Sequence, residues 1–190
     1  MKHHRTILLA VTTLIASALS AGEPVTLKLD SFTDLKGSTP GAAWVTESDG
    51  SIHLAGKGGG NLISKNEYES FEVEWEWKLS SGGNNGLKYW VTAVGDKKEW
   101  LGIEYQMIDD HKHPDGLKGG SHTTACIYDI KEASADKPLK PIGEWNLSKV
   151  VVKKGSLLNS TAIQRNTKSE SQKANSRARQ ALLQERVASC

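Results

Sequence analysis

The densest set of side chains able to bind a metal, move a proton or hold a sugar lies between Trp100 and Gly116, in WLGIEYQMIDDHKHPDG. Leu101, Ile103, Tyr105 and Met107 alternate with Glu104 and Gln106, which predicts a strand with one apolar and one polar face. Asp109, Asp110, His111, His113 and Asp115 follow in a polar loop that closes on a Pro-Asp-Gly turn. Carboxylates and imidazoles are ligands for zinc and other divalent ions. The loop residues stand too close in sequence for all of them to face one ion, so Glu104, Asp109 and His111 are the ligand set expected for a divalent metal of unspecified identity. The plainer alternative is a surface turn, with the aspartates as turn formers.

A strand ending in such a loop needs neighbours. Phe71 to Leu79 is the clearest strand: Phe71, Val73, Trp75, Trp77 and Leu79 share one side, and Glu72, Glu74, Glu76 and Lys78 share the other. Ser80 to Gly86, SSGGNNG, reads as a hairpin connection. Leu87 to Thr92 returns as a strand, with Leu87, Tyr89 and Val91 against Lys88 and Trp90. Asp96-Lys97-Lys98 is the next turn. If these strands are neighbours, Glu72, Glu74, Glu76, Lys88, Trp90, Glu104 and Gln106 converge on one wet face, Glu72 and Glu76 being read as ordinary solvated charges. An indole there stacks on a sugar ring, and the acids, amine and amide take its hydroxyls. The plainer alternative is a solvated face with alternating charges. Further strands are expected at Thr26–Asp30, Ala42–Thr46, Ser51–Ala55, from Leu62, at Thr123–Ile130 and at Trp145–Lys153. GKGGGN at 56–61 lacks the Gly-Lys-Ser/Thr ending and the following helix of a phosphate loop, so its glycines are read as places of backbone bending or close approach.

No stretch from 22 to 154 has a helical period. Short strands with Gly-rich turns predict an all-β sandwich or jelly roll. All six Trp, four Tyr and two Phe of the 190 residues fall between Phe32 and Trp145, so the aromatic core belongs to this segment. The formal charge of +2 comes from the two ends. The middle carries an acidic excess, which argues against a nucleic-acid partner.

Residues 1–21 have a positive start at Lys2 to Arg5, an apolar run from Ile7 to Leu19 and small residues at Ala16, Ala18, Ser20 and Ala21. That is the pattern of a signal peptide, and the expectation is an exported, periplasmic or extracellular protein with no stable membrane span after cleavage. The run is short of the roughly 20 apolar residues of a span. Cys126 and Cys190 make no disulfide framework. From Gly155 the chain loses its aromatics and turns polar and basic, with a weak helical pattern at Lys173–Val187. Residues 155–190 are therefore set apart as an atypical tail.

Four blocks in order, GKGGGNLISKNEYESFEVEWEWKLSSGGNNGLKYWV, GIEYQMIDDHKHPDG, HTTACIYDI and KPLKPIGEWNLSKVVVKKG, resemble the 3-keto-disaccharide hydrolase domain family. The resemblance runs over about residues 26–154. It implies a concanavalin-like jelly roll of two antiparallel sheets and a carbohydrate substrate, a 3-keto glycoside. Glu104 and Gln106 match the family's Glu-x-Gln block; His122 and Asp129 match its His-Thr-Thr and Tyr-Asp positions, with strand-end capping as the plainer alternative. The Trp-x-Asn-Gly hairpin and closing strands of the family are missing after Val152, which points to a frameshift or a truncated copy. In the enzyme reading Glu104 is base or metal ligand, His111 ligand or acid, and Lys88 the stabiliser of an enolate. The other reading is a non-catalytic carbohydrate-binding jelly roll or an inactive copy.

Overall fold

Alternation of apolar and polar residues runs through most of the chain, and the structure answers it with strands. The computed structural model describes residues 5–8, 12–18, 24–94, 99–154 and 161–165, with side chains for 24–94 and 100–154. In chain order the strands are β1 (Arg5–Leu8), β2 (Thr12–Ala18), β3 (Val25–Leu27), β4 (Phe32–Thr33), β5 (Trp44–Thr46), β6 (Ile52–Leu54), β7 (Leu62–Ser64), β8 (Phe71–Trp77), β9 (Asn84–Val94), β10 (Glu99–Ile108), β11 (Asn146–Val152) and β12 (Thr161–Arg165). Among the described residues helical geometry is confined to three short 3-10 turns, at Leu29–Ser31, Gly116–Lys118 and Gly120–His122. The Asp96–Lys98 turn, the Lys173–Val187 helix and Cys190 lie outside the described residues.

Two five-stranded antiparallel sheets form the expected jelly-roll sandwich. One runs β10-β9-β1-β7-β4, the other β12-β11-β8-β2-β3, and β5-β6 is a separate hairpin. The apolar sides of β8 and β11 in one sheet and of β9 and β10 in the other meet in a single core. Its centre is aromatic. The Trp75 ring stands edge-on to Tyr105 with centroids 5.1 Å apart, and Phe71 does the same to Tyr89 at 6.4 Å. Burial of each large side chain contributes about 1.5–3 kcal/mol. The polar tips are satisfied: Trp77 Nε1 donates to Ser148 Oγ at 2.9 Å, and Tyr105 Oη shares a hydrogen bond with the same oxygen at 2.8 Å. Burial pushes the Tyr105 phenol far up.

The GKGGGN segment is a packing device. Trp44 Nε1 donates to the Gly59 carbonyl at 2.9 Å, and a Cβ on Gly59 would run into the Trp44 ring and Leu54. The close approach needs glycine.

Three expectations change. SSGGNNG is not a hairpin, because β8 and β9 belong to opposite sheets; it carries the chain from one sheet to the other. As a result Glu72, Glu74 and Glu76 face out of the β8 sheet, while Lys88 and Glu104 face out of the β9–β10 sheet. Glu72 pairs there with Lys149 across from β11. Glu74 is thus on the far side of the sandwich from Glu104. Thr123–Ile130 is not a regular strand either. It makes single bridges, Tyr105 to Ile127 and Ile127 to Lys131, and is broken by left-handed Ala125 (φ 67°) and Asp129 (φ 56°).

Both ends that composition sets apart contribute strands. β1 lies between β9 and β7, and β2 between β8 and β3. β12, inside the polar tail, pairs with β11 from Leu147–Arg165 to Val151–Thr161. Within 1–21 and 155–190, these strands are what the structure describes.

Candidate active site

The site is built on the β9–β10 hairpin, on the side away from the core. Glu104 and Lys88 are cross-strand partners, and Lys88 Nζ lies 3.3 Å from Glu104 Oε2. Their side chains are 21% and 31% exposed, so the pair is shielded but reachable. Gly86, next along the same side of β9, leaves the space that the Glu104 carboxylate fills; a Cβ there would collide with it. Sequence reasoning named both charges but not this glycine. Its signal was a Gly inside a strand pattern, which marks a close approach.

Trp90 leaves this face. A β-bulge between Leu101 and Ile103 shifts the register, and Trp90 takes a left-handed backbone with φ 51°. The bulge reverses the alternation. Trp90 packs against the main core cluster and meets Tyr89 at 6.0 Å, while Val91 joins Ile63 and Trp100 on the outer side. Gly102 stands opposite, where a Cβ would meet the Tyr89 carbonyl at 2.8 Å. Gln106 keeps its predicted side but is only 2% exposed. Its backbone N–H donates to the Cys126 carbonyl and its carbonyl accepts from Ala125, so the 123–128 segment lies along the outer edge of β10.

The acidic loop divides by role. Asp109 is buried, and its Oδ2 accepts from Gly82 N at 2.8 Å while Oδ1 accepts from His111 N at 3.0 Å and Lys112 N at 3.2 Å. These N–H groups, Gly82 first, hold its carboxyl below the usual range. Asp110 accepts from Thr124 N at 2.7 Å and pairs with Lys137 at 2.8 Å, while Lys137 also donates to the Thr124 carbonyl. Both aspartates therefore fasten loops. His111 is exposed and engages through its backbone. Among the described residues no three His, Cys, Asp or Glu side chains gather as a metal-ligating group. Glu104, Asp109 and His111 do not form the set expected for a divalent ion, so these residues do not fit one.

His122 sits instead in a tight cluster. Its Nδ1 lies 3.2 Å from Asp115 Oδ1, and its Nε2 lies 3.2 Å from Asp129 Oδ1. The Tyr128 ring is edge-on at 5.0 Å. Lys118 Nζ reaches Asp115 Oδ1 at 2.6 Å. Lys118, with the Tyr128 hydroxyl and His122 adding smaller pulls, takes the Asp115 carboxyl down to about 2. The same contact with Asp115, together with burial, pushes the Tyr128 phenol up to about 12. Tyr128 N donates to the Glu104 carbonyl at 3.0 Å, which ties this cluster to the Lys88–Glu104 pair. Asp115 stands in the sequence only as one acid of the polar loop and Tyr128 carries no mark of its own, because a Pro-Asp-Gly turn and an aromatic in a strand both have ordinary explanations. Cys126 is a packed thiol that donates to the Ser121 carbonyl at 2.9 Å, and burial pushes it up to about 12.

The class that fold and site define is a jelly roll with an ion pair and a carboxylate-flanked imidazole beside one sheet edge. The particular family is clear from comparison. Residues 28–186 match the family of 3-keto-alpha-glucoside-1,2-lyase-like domains, and the chain belongs to it. The match continues past Val152 through most of the polar tail. A 3-keto-disaccharide hydrolase of Bacteroides thetaiotaomicron is 36% identical over 135 residues, which cover 60% of this chain and 46% of that protein. The chain thus spans about half the length of the curated relative it matches. A crystal structure from Parabacteroides distasonis, of a protein assigned provisionally as a glycosyl hydrolase, superposes with a TM-score of 0.55 at 25% identity, covering 84% of this chain and 76% of that one. Among the described residues no helix is long and apolar enough to cross a membrane.

Proposed function

We propose that this domain cleaves 3-keto glycosides by elimination across C1 and C2, and that water then adds to give net hydrolysis. The family's description as lyase-like and the name of the Bacteroides relative support the reaction class and the substrate class. A 3-keto group acidifies the hydrogen at C2. The Glu104 carboxylate takes that proton, and the C–H electron pair moves to form an enolate whose charge rests on the C3 oxygen. The Lys88 ammonium stabilises that oxygen. The enolate then reforms the ketone, a C1–C2 double bond appears, and the C1–oxygen bond breaks with its electrons leaving on the aglycone oxygen. Addition of water to the double bond yields the free keto sugar. Ordinary two-carboxylate glycoside hydrolysis attacks C1 directly and needs no keto group.

The observation that carries this reading is the 3.3 Å Lys88–Glu104 pair on a half-open face cleared by Gly86. A carboxylate base and a cation for the developing oxyanion are thereby side by side. The test is Glu104→Gln in the full chain, assayed on a 3-keto disaccharide for the unsaturated keto sugar and the released alcohol. Turnover is expected to fall about 10²–10⁴-fold, the range for loss of a positioned proton-transfer group. An unchanged rate removes Glu104 from the chemistry. Saturable binding of unoxidised sugar without turnover by the unmodified chain would instead identify a carbohydrate-binding module.

A further inference from the structure

Elimination leaves an alkoxide on the departing sugar, and neither Glu104 nor Lys88 is free to protonate it early. Glu104 is the proton acceptor of the first step, and Lys88 is held against the developing enolate. The His122 cluster supplies what is missing. Resting on the reading above, we propose that His122 is the acid that protonates the leaving glycosidic oxygen, and that Asp115 is the positioning residue that fixes its tautomer.

The geometry is that of an oriented imidazole. His122 Nδ1 is buried, makes no hydrogen bond of good geometry and has Asp115 Oδ1 3.2 Å away. A buried ring nitrogen beside a carboxylate is best satisfied as N–H. Asp115 cannot easily turn from it, since Lys118 Nζ at 2.6 Å and the Tyr128 hydroxyl hold the same carboxylate. The other nitrogen, Nε2, lies 3.2 Å from Oδ1 of Asp129, whose side chain is 64% exposed. Asp129 holds its place with a left-handed backbone, unusual for a residue other than glycine and a form of strain found at functional sites. The chain approaches His122 through Gly119 and Gly120, both at positive φ, in a tight turn. Charged or ionisable groups around the ring are Asp115, Asp129 and Tyr128, with Lys118 behind Asp115 and Glu132 beside Gly120. Tyr128 is the bridge, edge-on to His122 and hydrogen-bonded through its N–H to the Glu104 carbonyl.

The proton balance is complete. Glu104 removes one proton from C2. His122, protonated at Nε2 before the step, gives one to the aglycone oxygen as the C1–oxygen bond breaks. In the hydration step the water oxygen bonds to C1, its proton goes to His122 Nε2, and Glu104 returns its proton to C2. No oxidant or reductant is needed.

A leaving group that is already a good anion does not require an acid. The full chain and its His122→Asn and Asp115→Asn variants are therefore compared on two 3-keto glucosides, one with 4-nitrophenol and one with an alkyl alcohol as aglycone. His122→Asn is expected to lose about 100-fold or more on the alkyl substrate and only about threefold on the nitrophenyl one. A merely structural histidine would cost both substrates alike, and that outcome, or no loss on either, overturns the proposal. Failure of the unmodified chain on both substrates overturns it together with the reading it rests on. Cleavage of both substrates with an equal loss in His122→Asn overturns the proposal alone. Independently of turnover, ¹⁵N spectra taken where the ring is neutral should show its single proton on Nδ1 in the unmodified chain and a mixed tautomer in Asp115→Asn. An unchanged tautomer in that variant overturns the positioning role.

Discussion

Asp109 and Asp115 keep their negative charge for different reasons. Three backbone N–H groups, from Gly82, His111 and Lys112, point at Asp109, and the first belongs to the crossover between the two sheets. Asp115 is held by the Lys118 ammonium, the Tyr128 hydroxyl and the His122 ring. Both folded carboxyls lie below their ordinary value, so each stabilises the fold above the unfolded pKa of about 3.9 and loses that contribution as pH falls through the folded one. For Asp115 the window runs from about pH 4 down to about 2. Asp109→Asn places an amide NH₂ against donors that need an acceptor. The variant should have a lower Tm than the unmodified chain at pH 7, and the gap should narrow as the pH is taken toward 2. Thermal melts by circular dichroism across that range are the measurement. Equal Tm values at neutral pH would mean that the Asp109 bonds hold nothing.

At the scale of strands, alternation told truly where β8, β10 and β11 bury their side chains. Of the apolar residues named on the inner side of β10, Ile103, Tyr105 and Met107 pack inward, and Leu101 is 57% exposed. Alternation failed in β9, because a bulge inserts a residue and a period of two has no means of showing it. Trp90 and Val91 exchange sides for that reason. The same period cannot say which sheet a strand joins. Glu74 was grouped with Glu104 on the assumption that successive strands pair, while the SSGGNNG connector crosses the sandwich and separates them. Lys88, Glu104 and Gly86 were within reach because cross-strand pairing along one hairpin is local. Asp115, His122, Tyr128 and Asp129 are gathered by irregular loops with positive φ angles, which leave no periodic trace. The sheets themselves are joined at Ser148, a residue with no signal beyond its place on the inner side of β11. Ser148→Ala removes the acceptor of Trp77 Nε1 and a partner of Tyr105 Oη, both buried. Leaving the Trp77 N–H unpaired costs about 1–3 kcal/mol. The urea midpoint should fall accordingly with an unchanged slope, and an unmoved midpoint would show that other partners take over.

At the scale of the whole molecule, the first residues have two competing uses. Their composition carries the expectation of an export leader, and their backbone fills the middle of both sheets. β1 bridges β9 to β7, and β2 bridges β8 to β3. A chain that starts at residue 22 therefore keeps β10-β9 and β7-β4 as separate pairs in one sheet and loses the partner of β3 in the other. The inward sides of β8 and β9 would remain apolar, while ladder groups that had been paired become open edges. Exposed edges next to an apolar core recruit other chains. The chain lacking residues 1–21 should then melt below the full chain and form larger species, visible by light scattering at micromolar concentration, and its residual turnover of a 3-keto disaccharide should fall with the folded fraction. The Lys88–Glu104 pair lies directly beside this seam, since Lys88 is the register partner of Ile7 in β1. Loss of β1 thus loosens the strand that carries Lys88 before it reaches Glu104 on the outer β10. Kinetics separate the two effects: fewer folded molecules lower the apparent kcat alone, whereas a displaced Lys88 alters the dependence of rate on the acidity of the C2 hydrogen. If the shortened chain melts with the full one and stays monomeric, β1 and β2 add nothing to the fold, and the sandwich closes without them.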